Sequence, residues 1–443
     1  MGRLSIRWLL GELPKLEAER VIDATVAERL RAHYAEKTSG SGRRLVVAIF
    51  AVFGALLIGG GVILLLAHNW EAFGRGTRAT IALAPLLVSQ VMVGWVLAKK
   101  CESTAWREGT ATLLALTVAA AIALVDQTYH TGGDLESFLW RWSLLLAPLP
   151  WLLNSTAVAM LFLASLTWWA GAAKVEGSQI LVMWPLAAAV VPHLVQVLRS
   201  GRRGLRAANL QWAIALFLCV AAGLGLDHRV PGLWIVVYVG LFALMITLGA
   251  ASRRGEEGLW RRPLEVVGIT GSIVMWLILS FDEPWRHIGW KHIHTTERFH
   301  EVTSWLDLAL AIGLPLAAIV AMALLLERGQ HNLYLLWGVS VPLVAVVWPL
   351  TVATDSRWIG AVSFTLLLLV VGIATIAEGV RRQNLGTVNL GMLVVAMLVM
   401  VRFFDSGFGF VLKGFAFILV GIGFLVANVV LSRSLRAAEE EAK

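Results

Sequence analysis

Fourteen long apolar runs constrain the fold of this sequence more than any other feature. A membrane-spanning helix needs about 20 mostly apolar residues, and each run approaches or exceeds that length. The sequence therefore predicts an all-α, polytopic integral membrane helix bundle with about 14 transmembrane helices. The runs cover residues 45–67, 79–98, 109–126, 135–153, 155–173, 179–198, 207–226, 233–251, 263–281, 305–326, 333–350, 358–377, 386–401 and 411–431.

Composition agrees with this prediction, and the apolar runs leave few residues for a large domain outside the membrane. Of the 443 residues, 58% are hydrophobic and 15% are charged, with a mean hydropathy of +0.75. Such values exclude an ordinary soluble domain. We predict three parts: a cytoplasmic amphipathic helical segment and linker (1–42), the transmembrane bundle (43–436) and a cytoplasmic tail (437–443). Because polar residues precede the first run, we predict no cleavable signal peptide.

The basic residues predict the orientation of the bundle. If the amino terminus is cytoplasmic and every run spans, the inner loops and tails hold 26 of the 37 Lys and Arg residues. This is the bias that the positive-inside rule expects, so both termini are predicted to be cytoplasmic. The net charge of +8 reflects these loop clusters and predicts no nucleic-acid partner. With only Cys101 and Cys219, we expect neither a disulfide framework nor a metal–thiolate site.

The segment from Asp126 to Asp134 concentrates polar and titratable side chains between two apolar runs, on the predicted outer side. Arg141 follows about seven residues inside the next run, where an arginine is costly, by around 2.5 to 3.5 kcal/mol at the bilayer centre. Two interpretations remain open: Arg141 pairs with Asp126, or it reaches the interface alone between Trp140 and Trp142.

Prolines and one histidine interrupt the runs. Pro148 and Pro150 should kink the fourth run, and Pro185 with Pro192 should interrupt the sixth. Pro342 and Pro349 should break the eleventh in the same way. Near the end of the sixth run lies His193, which we expect to hydrogen-bond a neighbouring helix. Interrupted helices occur both in transporters and in static bundles.

The longest predicted outer connection, residues 282–304, contains four histidines. His292 and His294 could share a metal from an extended segment, and Glu297 with His300 has one Glu-x-x-His spacing. A di-metal bundle needs two such motifs. We therefore predict a solvated loop, with no metal site and no cofactor.

Three groups of residues form a recognisable pattern: the glycine-rich first run ending at His68-Asn69-Trp70, the series around residues 127–148, and the corner Arg402-Phe403-Phe404-Asp405. With its polar amino-terminal helices, the sequence here resembles a bacterial family of multi-spanning membrane proteins, domain of unknown function 2157. The resemblance implies a multi-pass protein of the bacterial cytoplasmic (inner) membrane. It implies no activity. The members of the middle series are Gln127, Tyr129, His130, Gly133, Asp134, Trp142 and Pro148.

The recognisable residues all fall on the predicted outer face, which predicts one outward-facing polar site. Such a site would bind a small polar solute or a lipid headgroup, as in a transporter or a lipid- or solute-handling protein; membrane lipids are the other expected partners. A membrane enzyme acting on a lipid-linked substrate and a sensor or assembly scaffold remain alternatives, and the oligomeric state is open. The predicted binding residues are His68, Asn69, Asp126, Gln127, His130, Asp134, Arg141, Arg402 and Asp405.

Overall fold

The computed structural model is helical, and no strand occurs among the residues that it describes. Contacts divide the chain into two compact units, residues 1–81 and 82–443. The predicted all-α class is confirmed. The described residues are 3–19, 21–39, 72–100, 102–130, 132–176, 180–199, 204–226, 231–252, 258–286, 288, 302–327, 333–405, 418 and 421–423.

The first unit contains helices α1 (Arg3–Ala18) and α2 (Ala24–Ser39), which pack against each other. Leu13 and Ala27 are both fully buried. Arg31 and Glu17 add an ion pair of 3.4 Å between the two helices. Both helices lie within the predicted segment 1–42, and the three-part division stays a prediction, because its boundaries at residues 42 and 436 lie outside the described residues.

The second unit is a helix bundle built almost wholly from the apolar runs. Helix α3 (Arg75–Lys99) precedes its other helices along the chain. The helices that follow are α4 (Thr104–Tyr129), α5 (Leu135–Leu146), α6 (Leu149–Leu152), α7 (Thr156–Val175), α8 (Met183–Ala187), α9 (Val191–Arg199), α10 (Leu205–Gly225), α11 (Leu233–Ala251), α12 (Pro263–Leu279), α13 (Val302–Glu327), α14 (Leu333–Gly338), α15 (Ser340–Thr354), α16 (Arg357–Arg381) and α17 (Leu385–Asp405).

Nine helical segments within the described ranges are long and apolar enough to cross a membrane. They correspond to nine of the fourteen predicted runs. The first and last runs lie wholly or largely outside the described residues. Run 263–281 forms the 17-residue α12, and the fourth and sixth runs are divided into shorter helices. A multi-span helical membrane protein is confirmed, and the exact count of fourteen stays a prediction.

Proline positions explain most of the divided helices. Helix α5 ends at Leu146 and α6 begins after Pro148, and the sixth run becomes α8, a short 3-10 turn and α9 around Pro185 and Pro192. The break between α14 and α15 precedes Pro342, whose ring opposes the carbonyl four residues earlier. Pro349 differs from prediction, because α15 continues through it; one missing N–H can be accommodated inside a packed bundle.

Two apolar clusters form the core of the second unit. One joins α3 to α10 and includes Phe162 and Leu166; the other joins α10 to α17 and includes Trp276 and Phe364. Helix α10 contributes to both clusters, with Leu210 in the first and Ala215 in the second. It therefore links the two halves of the bundle.

Short side chains let α16 and α17 approach backbone to backbone. A Cβ atom added at Gly391 would lie 2.7 Å from the Ile376 nitrogen and 2.8 Å from the Gly372 oxygen. One at Gly379 would lie 2.6 Å from the Val388 nitrogen. Small residues at helix contacts are the usual means of close packing in membranes, so glycine fixes the distance between these two helices.

Antiparallel helices give the second unit two ends. Glu108, near the start of α4, contacts Thr156 and Arg206, near the starts of α7 and α10. The opposite ends of α7 and α10 also meet, since Lys174 donates a 2.9 Å hydrogen bond to the Leu226 carbonyl. We call these the Glu108 end and the Asp134 end; the sequence predicts that the first faces the cytoplasm.

Candidate functional site: a polar cleft at the Asp134 end

A small cleft of about 270 Å³ opens where α4 ends and α5 begins. It brings together four of the predicted binding residues, which the sequence spreads over positions 126 to 141. Its volume is below the roughly 300–1,000 Å³ of typical drug-sized ligand sites, so it suits a small group. The lining residues are Ile122, Ala123, Asp126, Gln127, Gly133, Asp134, Leu135, Phe138 and Arg141.

A tight connection between α4 and α5 positions the two carboxylates. His130 ends α4 in the left-handed region (φ 53°), and Gly132 also has a positive φ of 73°. Asp134 then begins α5 as its N-cap, with its carboxylate accepting a 2.7 Å hydrogen bond from the Ser137 backbone N–H. The chain thus reverses within a few residues and returns Asp134 to the end of the helix that carries Asp126.

The Asp126 carboxylate lies directly against Gly133. A Cβ atom added at Gly133 would be 2.7 and 2.8 Å from its two carboxylate oxygens. Because real Cβ atoms do not approach other atoms so closely, only glycine leaves this carboxylate in place. Gly133 therefore shapes the cleft, because any larger residue at this position would displace the Asp126 carboxylate.

Arg141 completes the cleft from α5. It lies seven residues, about two helical turns, after Asp134 and so faces the same side of the helix. No ion pair within 4 Å involving Arg141 is found in the described part of the chain, although its charge acts on Asp134. The Ser137 hydroxyl and backbone N–H, and more weakly Arg141, hold the pKa of the Asp134 carboxyl below its ordinary value.

This arrangement can bind a polar group by charge. Two carboxylates accept hydrogen bonds from a cation, and a guanidinium donates to an anion. Phe138 and Ile122 give the cleft apolar surface beside these charges. Both interpretations for Arg141 stay open: Arg141 and Asp126 line one cleft, but no ion pair joins them among the described residues.

The other predicted binding residues lie elsewhere or are not described. His130 caps α4 and is exposed, outside the cleft lining. Arg402 donates to the Ser280 carbonyl and, over 2.7 Å, to the Thr365 hydroxyl, which joins α17 to α16 and to the end of α12. His68, Asn69 and the side chain of Asp405 lie outside the described residues. Ligand binding by these five residues stays a prediction.

A second polar cluster, not anticipated from the sequence, occurs at the Glu108 end. The Glu108 carboxylate accepts hydrogen bonds from the Ser155 hydroxyl (2.5 Å) and from the backbone N–H groups of Thr156 (3.0 Å) and Ala157 (2.9 Å). Arg206 pairs with it at 3.1 Å. A carboxylate at a helix N-terminus also interacts favourably with the helix dipole. Glu108 therefore ties α4 to the starts of α7 and α10.

His193 lies next to this cluster and is fully buried. Its Nε2 is 3.2 Å from the Thr156 hydroxyl, so the predicted hydrogen bond to a neighbouring helix is confirmed. The signal that could have indicated the cluster is Asn154-Ser155-Thr156, which interrupts two apolar runs with residues that favour helix N-caps. No group of three or more His, Cys, Asp or Glu suited to a metal occurs within the described ranges, and the four loop histidines lie outside them.

Comparison with known proteins gives one match, to the model of a protein family. No curated protein and no solved structure matches the chain. One family model does match, that of “Predicted membrane protein (DUF2157)”, over residues 14–159. This range covers about a third of the chain and contains the whole Asp126–Arg141 cleft. Over residues 14–159, then, the chain is similar to that family of membrane proteins, as its sequence resemblance indicates.

Proposed function

We propose that this membrane protein handles a small zwitterionic group, carried by a free solute or a lipid headgroup, which it binds in the Asp126–Arg141 cleft. One observation carries the proposal: Asp126, Gln127, Asp134 and Arg141 line a single cleft at the end of a candidate membrane span. Ionisable side chains within a membrane span are costly, and those that occur there often mark a binding or transport site.

The charges of the cleft favour a zwitterion. Asp126 and Asp134 suit an ammonium group, while Arg141 suits a phosphate or carboxylate on the same molecule. These groups converge without an ion pair between Arg141 and either carboxylate among the described residues, so space remains between them for a ligand. Ethanolamine phosphate, free or as a phospholipid headgroup, has this chemistry.

Transport or lipid handling accounts for the cleft better than catalysis. Among the described residues, the lining offers carboxylates, an amide and a guanidinium, but no serine, cysteine, lysine or histidine, so an enzyme built from them would depend on a carboxylate base alone. Divided helices such as α5–α6 and α8–α9 are also common near transporter sites. A sensor or scaffold would need no such convergence of charges.

The experiment measures ligand binding by the purified full chain. Retention of phosphatidylethanolamine is measured by native mass spectrometry, and binding of free phosphoethanolamine by calorimetry. Asp126→Asn should weaken the preferred ligand at least about tenfold, because a hydrogen bond to a charged group contributes about 1.5–3 kcal/mol.

Asp282→Asn is the matched control, since Asp282 is an exposed carboxylate outside the cleft lining. It should leave binding unchanged. Preference for the phospholipid would identify lipid handling, and preference for free phosphoethanolamine would identify solute handling. Equal binding by the wild-type chain and Asp126→Asn, or no binding of either ligand, would contradict the proposal.

A further inference from the structure

A larger cleft, of about 560 Å³, lies at the opposite end of the bundle, between the start of α12 and the start of α17. Its position follows from Trp260, which hydrogen-bonds Asn209 and Trp212 near the start of α10 and so belongs to the Glu108 end. The lining residues are Leu259, Arg262, Glu265, Val266, Ile269, Trp337, Thr375, Arg382, Asn384, Gly386, Thr387, Asn389, Leu390 and Leu393. We call it the Arg262 cleft.

Cations predominate at the polar part of the Arg262 cleft. Two arginines, Arg262 and Arg382, line the cleft together with one carboxylate, that of Glu265. The Nε of Arg262 is buried and makes no hydrogen bond to any residue that the structure describes. Arg382 donates to Glu378 and is still about half exposed. An anion in the cleft would therefore meet guanidinium N–H groups that the bundle does not fully use.

The start of α17 adds neutral donors and a favourable dipole. Asn384 caps this 21-residue helix, with its side-chain oxygen 3.1 Å from the Thr387 backbone nitrogen. Thr387 and Asn389 also line the cleft. Because the N-terminus of a helix is positive, these groups act on an anion in the same direction as the two arginines.

The remaining lining is apolar and partly uncovered. Leu259 is 74% exposed and Leu393 is 51% exposed, and Val266, Ile269 and Leu390 lie beside them. These side chains match hydrocarbon chains, whereas a free inorganic anion would make no use of them. The cleft thus combines a cationic pocket with an apolar wall, which is the chemistry of an anionic phospholipid.

We infer that the Arg262 cleft binds an anionic phospholipid, with its phosphate between Arg262 and Arg382 and its acyl chains along Leu259 and Leu393. The predicted orientation agrees, since the Glu108 end is the predicted cytoplasmic end and anionic lipids concentrate in the cytoplasmic leaflet. This site is separate from the Asp126–Arg141 cleft and does not depend on the function proposed for it.

The test uses the purified full chain and three probes: phosphatidylglycerol, phosphatidylcholine and inorganic phosphate. Native mass spectrometry should show preferential retention of phosphatidylglycerol by the wild-type chain. Arg262→Gln and Arg382→Gln should each reduce that retention at least about tenfold. Arg382 is half exposed, so its variant keeps the test informative if Arg262→Gln does not fold.

Arg261→Gln is the matched control, because Arg261 is the adjacent residue, is exposed and does not line the cleft. It should retain phosphatidylglycerol as the wild-type chain does. The inference is overturned if Arg382→Gln and Arg261→Gln behave alike, if phosphatidylcholine is retained equally well, or if inorganic phosphate competes fully with the lipid.

Discussion

Gly133 controls the Asp126–Arg141 cleft by leaving room for the Asp126 carboxylate. In Gly133→Ala, the new methyl group would lie 2.7 Å from that carboxylate and displace it. We expect binding of the zwitterionic ligand to fall about tenfold or more, with little change in melting temperature, because residue 133 does not require a positive φ. Ligand binding and thermal unfolding of the purified variant measure both effects.

Gly171→Ala is the control for this variant, since nothing lies within 4 Å of the position of its new methyl group. It should bind the ligand as the wild-type chain does. Unchanged binding by Gly133→Ala would show that the position of the Asp126 carboxylate does not matter for the ligand.

Asp134 should make stability depend on pH in the acid range. Its pKa is lower in the folded protein than in the unfolded chain, so its charged form favours folding above the unfolded pKa of about 3.9. That contribution is lost as the pH falls through the lowered folded pKa. Asn also serves as an N-cap, so Asp134→Asn removes the charge and keeps a cap.

We expect the melting temperature of Asp134→Asn to be lower than that of the wild-type chain at pH 7. The difference should shrink toward zero as the pH falls below about 4. A difference that stays constant from pH 7 to pH 3 would mean that the charge of Asp134 does not contribute to folding.

For single residues, the sequence indicates which neighbouring positions line the cleft, but it does not give the distances between their side chains. Asp126, Asp134 and Arg141 are near in sequence, so a short connection between two helices brings them together. Spacing along the chain carries no such information for Arg402, whose partners Ser280 and Thr365 are 122 and 37 residues away. Long-range neighbours of this kind depend on how the helices pack.

Glu108 links three helices, and its loss should destabilise their arrangement. Glu108→Gln would leave Arg206 without its charge partner and weaken the hydrogen bonds at the start of α7. We expect a loss of about 1–3 kcal/mol in the free energy of unfolding. Adding Arg206→Gln should cost less than the sum of the two single changes, because the residues interact directly.

Glu283→Gln is the matched control, since Glu283 forms one exposed ion pair, with Arg286 at 2.8 Å. Such exposed pairs contribute about 0–1 kcal/mol. Equal losses for Glu108→Gln and Glu283→Gln, measured by denaturant unfolding in detergent, would refute the linking role of Glu108.

The contact between α16 and α17 predicts a cost for adding a methyl group at Gly391. Gly391→Ala would press this group on the Ile376 nitrogen and the Gly372 oxygen, and backbone atoms cannot move aside alone. We expect a loss of about 1–3 kcal/mol, the usual cost of overpacking. Gly94→Ala, which meets nothing within 4 Å, should cost nothing; thermal unfolding of both variants provides the comparison.

Helices are the level at which the sequence predicts most. Apolar length locates the spans, and Pro148, Pro185 and Pro192 locate breaks, because both properties are local. Pro349 shows the limit of this reasoning, since whether a proline breaks a helix depends on what surrounds it. Glu108 was missed for the same reason: its carboxylate is satisfied by residues 47 to 98 positions away, such as Ser155 and Arg206.

For the molecule as a whole, the sequence predicts an orientation that labelling can test. In a variant without native cysteines, single cysteines at His130 and Asp282 should react with an impermeant thiol reagent added outside intact cells. Cysteines at Glu102 and Arg381, which belong to the Glu108 end, should react only after the cells are opened. The reverse pattern would place the Glu108 end outside and contradict the positive-inside prediction.

The central claim is that the Asp126–Arg141 cleft binds a polar ligand, and a density map of the full chain in lipid nanodiscs tests it most directly. The nanodiscs contain phosphatidylethanolamine, and the wild-type chain is compared with Asp126→Asn. We expect non-protein density between Asp126, Asp134 and Arg141 in the wild-type map and a loss of it in the variant. Direct pairing of Arg141 with Asp126 across an empty cleft would contradict the claim.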